Sequence, residues 1–195
     1  MWRAVILLMC LAMSLPAAAS SDGIEIVIVR DQNQLLIKKD KNTIKTFHAA
    51  FGSGGRQAKV REGDRKTPKG YYRIHEVRSS NQFLTFMQLN YPNMNDAKNA
   101  LKSGLIDRKE YRRILGAHLY NELPPQNTVL GGLIGIHGIG SETQEKIDIH
   151  EISNWTKGCI ALRNSEIREL QKYVSHGTPV IIIDSLPELA AYRQD

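Results

Sequence analysis

The chain has 195 residues, 26 Lys and Arg against 20 Asp and Glu, a formal charge of +6 and 42% hydrophobic residues. That length suits one domain with a substantial core, and no repeat or low-complexity tract breaks it. The basic residues are scattered, without the interleaved aromatics of a single-strand binder, so no nucleic-acid partner is expected.

Met1-Trp2-Arg3 is a short basic start, and residues 4–15 form an apolar run. The run falls short of the ~20 residues a membrane span needs. Pro16 breaks it, and Ala17-Ala18-Ala19 has the small-x-small pattern of a cleavage site. These features predict a cleavable signal over residues 1–19 and one domain over 20–195, with no integral membrane segment in the mature form. A lipoprotein reading through Cys10 is disfavoured because Met9 is large where a small residue is wanted. Cleavage removes Arg3 and Cys10, taking the charge from +6 to +5. A basic exported protein suits a polyanionic surface such as a cell wall. Cys159 then stands alone, without a partner for an internal disulfide.

Residues 24–30 are β-branched and partly alternating, 31–33 form a turn, and 34–39 resume an extended pattern, which predicts a hairpin. A turn at 40–42 leads to a third strand over 43–51. A polar loop runs from Gly52 to Lys66 and closes at Thr67-Pro68-Lys69-Gly70, followed by a strand over 71–77. Asn95-Asp96 predicts a helix over 97–102, and Asp107 with Glu110 a second over 108–115. The two read as a helical insertion, about 93–118, in a mainly β domain, and His118 at its end is expected to line a cleft. A buried strand is predicted to end at His137. Residues 147–150 alternate apolar and polar, so Asp148 and His150 are expected on the solvated face of an extended stretch. Asn164 or Ser165 is expected to cap a helix through Val174, a last buried strand spans 180–183, and the tail from 186 is a short helix.

The chemistry centres on Trp155-Thr156-Lys157-Gly158-Cys159-Ile160-Ala161-Leu162-Arg163-Asn164. A thiolate is the nucleophile in cysteine chemistry, so Cys159 needs a base or a positive environment. His137, at a strand end before Gly138, is the stronger base, and His150 is its rival. Gly158 permits a tight turn and close substrate approach. Zinc ligation by His137, His150 and Cys159 lacks the usual ligand spacing, so no metal and no cofactor are expected.

Ile136-His137-Gly138, followed by Thr156-Lys157-Gly158-Cys159-Ile160 and Asn164, resembles the active-site signature of the L,D-transpeptidase family, the YkuD-like (ErfK-type) domain. Gly63-Asp64-Arg65-Lys66-Thr67-Pro68-Lys69-Gly70-Tyr71-Tyr72 resembles that family's upstream segment. The resemblance implies a β-rich fold with mixed sheets around a cleft, and a helix after the cysteine. It implies peptidoglycan stem peptides as substrate and the periplasm as compartment. Cys159 would be the nucleophile and His137 the general base. Gly158, Gly138, Thr156, Lys157 and Arg163 would bind substrate or stabilise the oxyanion. Two departures stand out: Lys157 and Ala161 occupy positions where many members carry His and Arg. The form Gly-Cys-Ile-Ala-Leu resembles a branch that includes a hydrolase detaching a lipoprotein from peptidoglycan. Three readings follow: transfer of the acyl group to an amine, hydrolysis to release a wall-attached protein or a terminal D-amino acid, or a non-catalytic wall-binding module.

Overall fold

The computed structural model describes residues 23–193, so the expected signal over 1–19 lies outside the described residues. β1 (Ile24–Val29) and β2 (Gln34–Lys39) form the expected hairpin, and β3 (Asn42–His48) extends it into an antiparallel meander. Asn33 and Asp40 take positive φ in the two turns, a conformation their short polar side chains tolerate.

Five further strands complete the sheet: β4 (Gly70–Ser80), β5 (Leu84–Leu89), β6 (Gly135–Gly138), β7 (Ile160–Leu162) and β8 (Pro179–Ile183). Their order is β3-β2-β1-β8-β4-β5-β6-β7, with β1/β8 and β6/β7 parallel and the other pairs antiparallel. Bridges from Ala50 to Ala161 and from Gly52 to Thr156 tie the chain after β3 to the β7 edge. The sheet is therefore nearly closed, and the fold is the mainly β, mixed architecture expected.

β1 lies between β2 and β8 and is buried on both faces. Ile26 and Ile28 enter the main core with Leu35, Ile37, Val180 and Ile182. Val27 and Val29 pack on the other face with Ile181, Ile183 and Leu189 of a 3₁₀ helix, Leu186–Arg193. Each such side chain contributes about 1.5–3 kcal/mol through removal from water.

α1 (Met94–Lys102) and α2 (Arg108–Leu119) follow β5 and pack on each other through Ala97, Ala100 and Ile114. The α1 cap is Asn93, two residues before the expected Asn95-Asp96, because Asn93 and Asp96 exchange hydrogen bonds at 2.8 Å each. α2 begins at the expected Asp107 cap but runs past residue 115. Residues 147–150 are helical, not extended: α3 (Gln144–Ile152) is capped by Thr143, whose side chain accepts from the Lys146 N–H. His150 is consequently buried within the fold instead of facing water. α4 (Asn164–Leu170) has Arg163 at its N-cap and ends short of Val174. No helix of the described residues is long and apolar enough to cross a membrane.

Candidate active site

Strand register sorts the side chains. Ile136 of β6 pairs with Ile160 of β7, and both point into the main core. Alternation then sends His137 and its β7 partner Ala161 to the opposite face. Cys159 immediately precedes Ile160. His137 and Cys159 line one cleft of about 580 Å³ together with Arg78, Phe86, Trp155 and Lys157.

The turn carrying Cys159 is held from two sides. Thr156 Oγ1 donates to the Cys159 carbonyl at 2.7 Å and accepts from the Gly158 N–H at 3.1 Å. Gly158 has φ +129°, and a Cβ there would stand 2.9 Å from the Lys66 carbonyl oxygen, so no other residue fits without movement. The Gly63–Tyr72 motif supplies that neighbouring backbone. Asp64 accepts from Lys59 Nζ, at 2.9 Å, and from the N–H groups of Val60, Arg61 and Lys66. Burial alone would raise its pKa, but these donors outweigh it and hold the carboxyl below its ordinary range. Thr67 Oγ1 accepts from the Gly52 N–H at 2.9 Å and reaches the Cys159 carbonyl at 3.5 Å.

His137 is 2% exposed, with Phe83 at 4.1 Å between ring centroids, Phe86 at 6.3 Å and Trp155 at 6.2 Å. Its Nδ1 lies 2.8 Å from the Gly138 carbonyl oxygen, which can only accept. Nδ1 therefore carries the proton, and neutral His137 keeps its lone pair on Nε2. Burial lowers its pKa, so the ring is neutral at pH 7. Cys159 is a half-buried free thiol that donates to the Leu133 carbonyl at 3.3 Å. Burial pushes its pKa up to about 11, against the opposing pull of the Gly135 N–H and the Lys59 charge. A neutral thiol and a neutral imidazole in one cleft suit general-base chemistry rather than a standing thiolate–imidazolium pair. Alkylation of Cys159 by iodoacetamide is accordingly expected to be slow at pH 7 and to rise roughly tenfold per pH unit to about pH 10; a plateau reached by pH 8 would contradict this.

The other expected site residues are distributed unevenly. Thr156 and Lys157 line the cleft. The Thr156 hydroxyl is committed to the turn, and it engages the Gly158 N–H that was expected to face an oxyanion. Gly138 does not open to a ligand: a Cβ there would meet Asn164 Oδ1 and the Phe83 carbonyl oxygen, each at 2.7 Å. Arg163 is not among the cleft residues, and its guanidinium pairs with Glu151 at 3.7 Å. His118 borders a separate depression with His75 and His176, and its Nε2 lies 2.8 Å from the Pro92 carbonyl oxygen. Among the described residues, no three His, Cys, Asp or Glu side chains are grouped to hold a metal.

His150 sits behind the cleft. Its Nδ1 accepts from the Trp155 indole N–H at 3.5 Å, and its ring meets His48 edge-on at 5.3 Å. Burial, with the His48 charge second, lowers its pKa from 6.5 to about 4. Between those values the unfolded chain binds the proton and the folded chain does not. This group's stabilising contribution is thus full above pH 6.5 and lost as pH falls toward 4. Asp96, raised by burial to about 6, acts in the opposite sense over an overlapping range. The expected result is that His150→Phe flattens the fall in urea midpoint between pH 6.5 and 4 relative to the unsubstituted chain. Parallel curves for the two proteins would contradict it.

Residues 23–182 match the family model for the YkuD L,D-transpeptidase catalytic domain. No curated protein matches the sequence. Among solved structures, Bd1075 of Bdellovibrio bacteriovorus is similar at 21% identity and TM-score 0.55, over 89% of this chain and 54% of that one. The helical cell shape determining protein Pgp2 of Campylobacter jejuni is similar at 20% identity and TM-score 0.50, over 84% of this chain and 49% of that one. These are likenesses of fold, and the chain spans about half the length of either protein. The family match takes in both sequence motifs, and those motifs meet at the Cys159 turn in a fold shared with these structures. The chain thus belongs to the YkuD family of L,D-transpeptidase catalytic domains.

Proposed function

We propose that this protein is an exported cysteine acyltransferase acting on peptidoglycan stem peptides in the periplasm. The observation that carries this is the shared cleft: His137 lines it from β6 and Cys159 from the turn that leads into the neighbouring β7, with His137 Nε2 left as the basic nitrogen. The domain family supports the substrate class.

In the proposed reaction, His137 Nε2 takes the Cys159 proton as the sulfur attacks the carbonyl of the diacid residue, meso-diaminopimelate, before a terminal D-alanine. The carbonyl oxygen gains the negative charge, and the backbone N–H of Cys159 stabilises it, since that of Gly158 is held by the Thr156 hydroxyl. Losing one such donor typically costs about 3–4 kcal/mol. The intermediate collapses, the C–N bond breaks, and His137 returns the proton to the leaving amine. An amine of another stem then attacks the thioester carbonyl and gives its proton to His137, the C–S bond breaks, and His137 returns the proton to the Cys159 sulfur. Hydrolysis is the second reading, because the thiol is only half-buried, which leaves a thioester formed there open to water as well as to an amine. That reading includes release of a wall-anchored lipoprotein, as the Gly-Cys-Ile-Ala-Leu branch suggests.

Incubation with purified sacculi followed by mass spectrometry of the products separates these outcomes. Crosslinked dimers support transfer. Shortened or protein-free stems support hydrolysis. Unchanged sacculi that nonetheless retain the protein would leave only the wall-binding module.

A further inference from the structure

Four strands place four residues in one cross-strand row. Arg78 of β4 pairs with Phe86 of β5, Phe86 with His137 of β6, and His137 with Ala161 of β7. The row is a physical stack over part of its length. The Arg78 guanidinium lies 4.8 Å over the Phe86 ring, and the Phe86 ring lies 17° from parallel to His137 at 6.3 Å. Arg78 lines the cleft that holds Cys159.

We propose that Arg78 recognises a carboxylate flanking the scissile amide of the substrate. This rests on the functional reading above and adds to it a specificity residue and the group that residue takes. Three observations favour Arg78 over the other nearby cations. First, its ring neighbour holds the guanidinium on the side of Phe86 opposite the β6 strand that carries His137, and shields one face from water, which strengthens a charge-assisted hydrogen bond. Second, its ion pair with Glu76 is long, at 3.7 Å, and both side chains are about half exposed. Such pairs contribute little, so an incoming carboxylate competes readily. The planar guanidinium can then receive that carboxylate through two parallel hydrogen bonds. Third, Arg163 is paired with Glu151 away from the cleft, and Lys157, as exposed as Arg78, offers a single ammonium in place of the planar fork that matches a carboxylate. Ala161, fully buried at the far end of the row, leaves its only cation at Arg78.

Two carboxylates lie nearest the scissile bond of a stem ending in meso-diaminopimelyl-D-alanine: the terminal one, and the distal one of diaminopimelate. The test measures the affinity of the Cys159→Ala protein for the free-acid tetrapeptide and for two analogues, each amidated at one of these positions. The free acid is expected to bind roughly 10- to 100-fold more tightly than one amide, which identifies the carboxylate recognised. Adding Arg78→Gln should bring that ratio close to one, and Arg78→Lys should keep part of it. Circular dichroism verifies that each variant is folded. The proposal is overturned if no stem binds, if free acid and both amides bind equally, or if the ratio survives Arg78→Gln. It is also overturned if Lys157→Gln, and not Arg78→Gln, removes the ratio. Lack of turnover by the unsubstituted protein would sink the functional reading alone, since the affinities are read without catalysis.

Discussion

Cys159→Ala is expected to lower the release of D-alanine from a tetrapeptide stem by roughly 10⁴-fold or more, with the fold intact. The size of the effect follows from the absence of a substitute. Cys159 is the free cysteine of the described residues, and the Thr156 hydroxyl on the same turn is committed to the Cys159 carbonyl. The structural cost is small. The thiol is half-buried and gives up one hydrogen bond to the Leu133 carbonyl, worth about 1 kcal/mol. His137→Gln should also reduce turnover strongly, because an amide cannot take the thiol proton. Measured kcat with stem peptide, beside the melting temperature of each variant, checks both. A Cys159→Ala protein with more than a tenth of full activity would contradict the assignment.

Arg30→Met is expected to destabilise the fold by about 3 kcal/mol and to loosen the cysteine turn from a distance. Arg30 is 2% exposed at the end of β1. Its guanidinium donates to Asp184 at 2.9 Å, to the Thr67 carbonyl at 2.7 Å and to the Arg56 carbonyl at 2.6 Å. Methionine fills much of the volume but donates nothing, leaving two carbonyls of the loop without their partner. Asp184 keeps Lys69 at 2.9 Å and is partly exposed, so the loss falls on the loop more than on the carboxylate. That loop carries Thr67, whose hydroxyl bonds the Gly52 N–H and reaches the Cys159 carbonyl. Urea denaturation should show a lower midpoint with an unchanged slope. A loss below about 0.5 kcal/mol would mean that Arg30 does not brace the loop.

Much of this architecture is legible in residue order. The first hairpin, the last strand and the Asp107 cap follow from alternation, turn residues and capping chemistry. β5 is harder to read: Leu84-Thr85-Phe86-Met87-Gln88-Leu89 is almost wholly buried, so it lacks the polar-apolar alternation of a one-faced strand. Missing it also hides Phe86 and, through pairing, the place of Arg78. The stretch around His150 shows the opposite failure. Ile147-Asp148-Ile149-His150 alternates as a strand would, yet Thr143 caps it and Gln144 bonds Asp148 one turn on at 2.8 Å, so it folds as a helix. Thr143 was the available local signal.

Cys159 and His137 line one cleft because β6 and β7 pair in a register that adjacent sequence does not contain. The same holds for Asp64 and Thr67, which lie some ninety residues before the turn they support. Their motif marks them in sequence, but only the hydrogen bonds say what they do. Gly138 and Arg163 are close to the motif in sequence and yet point elsewhere, because α4 and α3 claim their contacts.

In the proposed reaction an acyl group passes through Cys159. The most direct measurement is mass spectrometry of the protein quenched during turnover of a tetrapeptide stem. An adduct is expected on the peptide spanning Cys159, equal in mass to the donor acyl group without its terminal D-amino acid, removable by hydroxylamine and absent from Cys159→Ala. Product formed at an undiminished rate by Cys159→Ala, with no adduct on the unsubstituted protein, would contradict it.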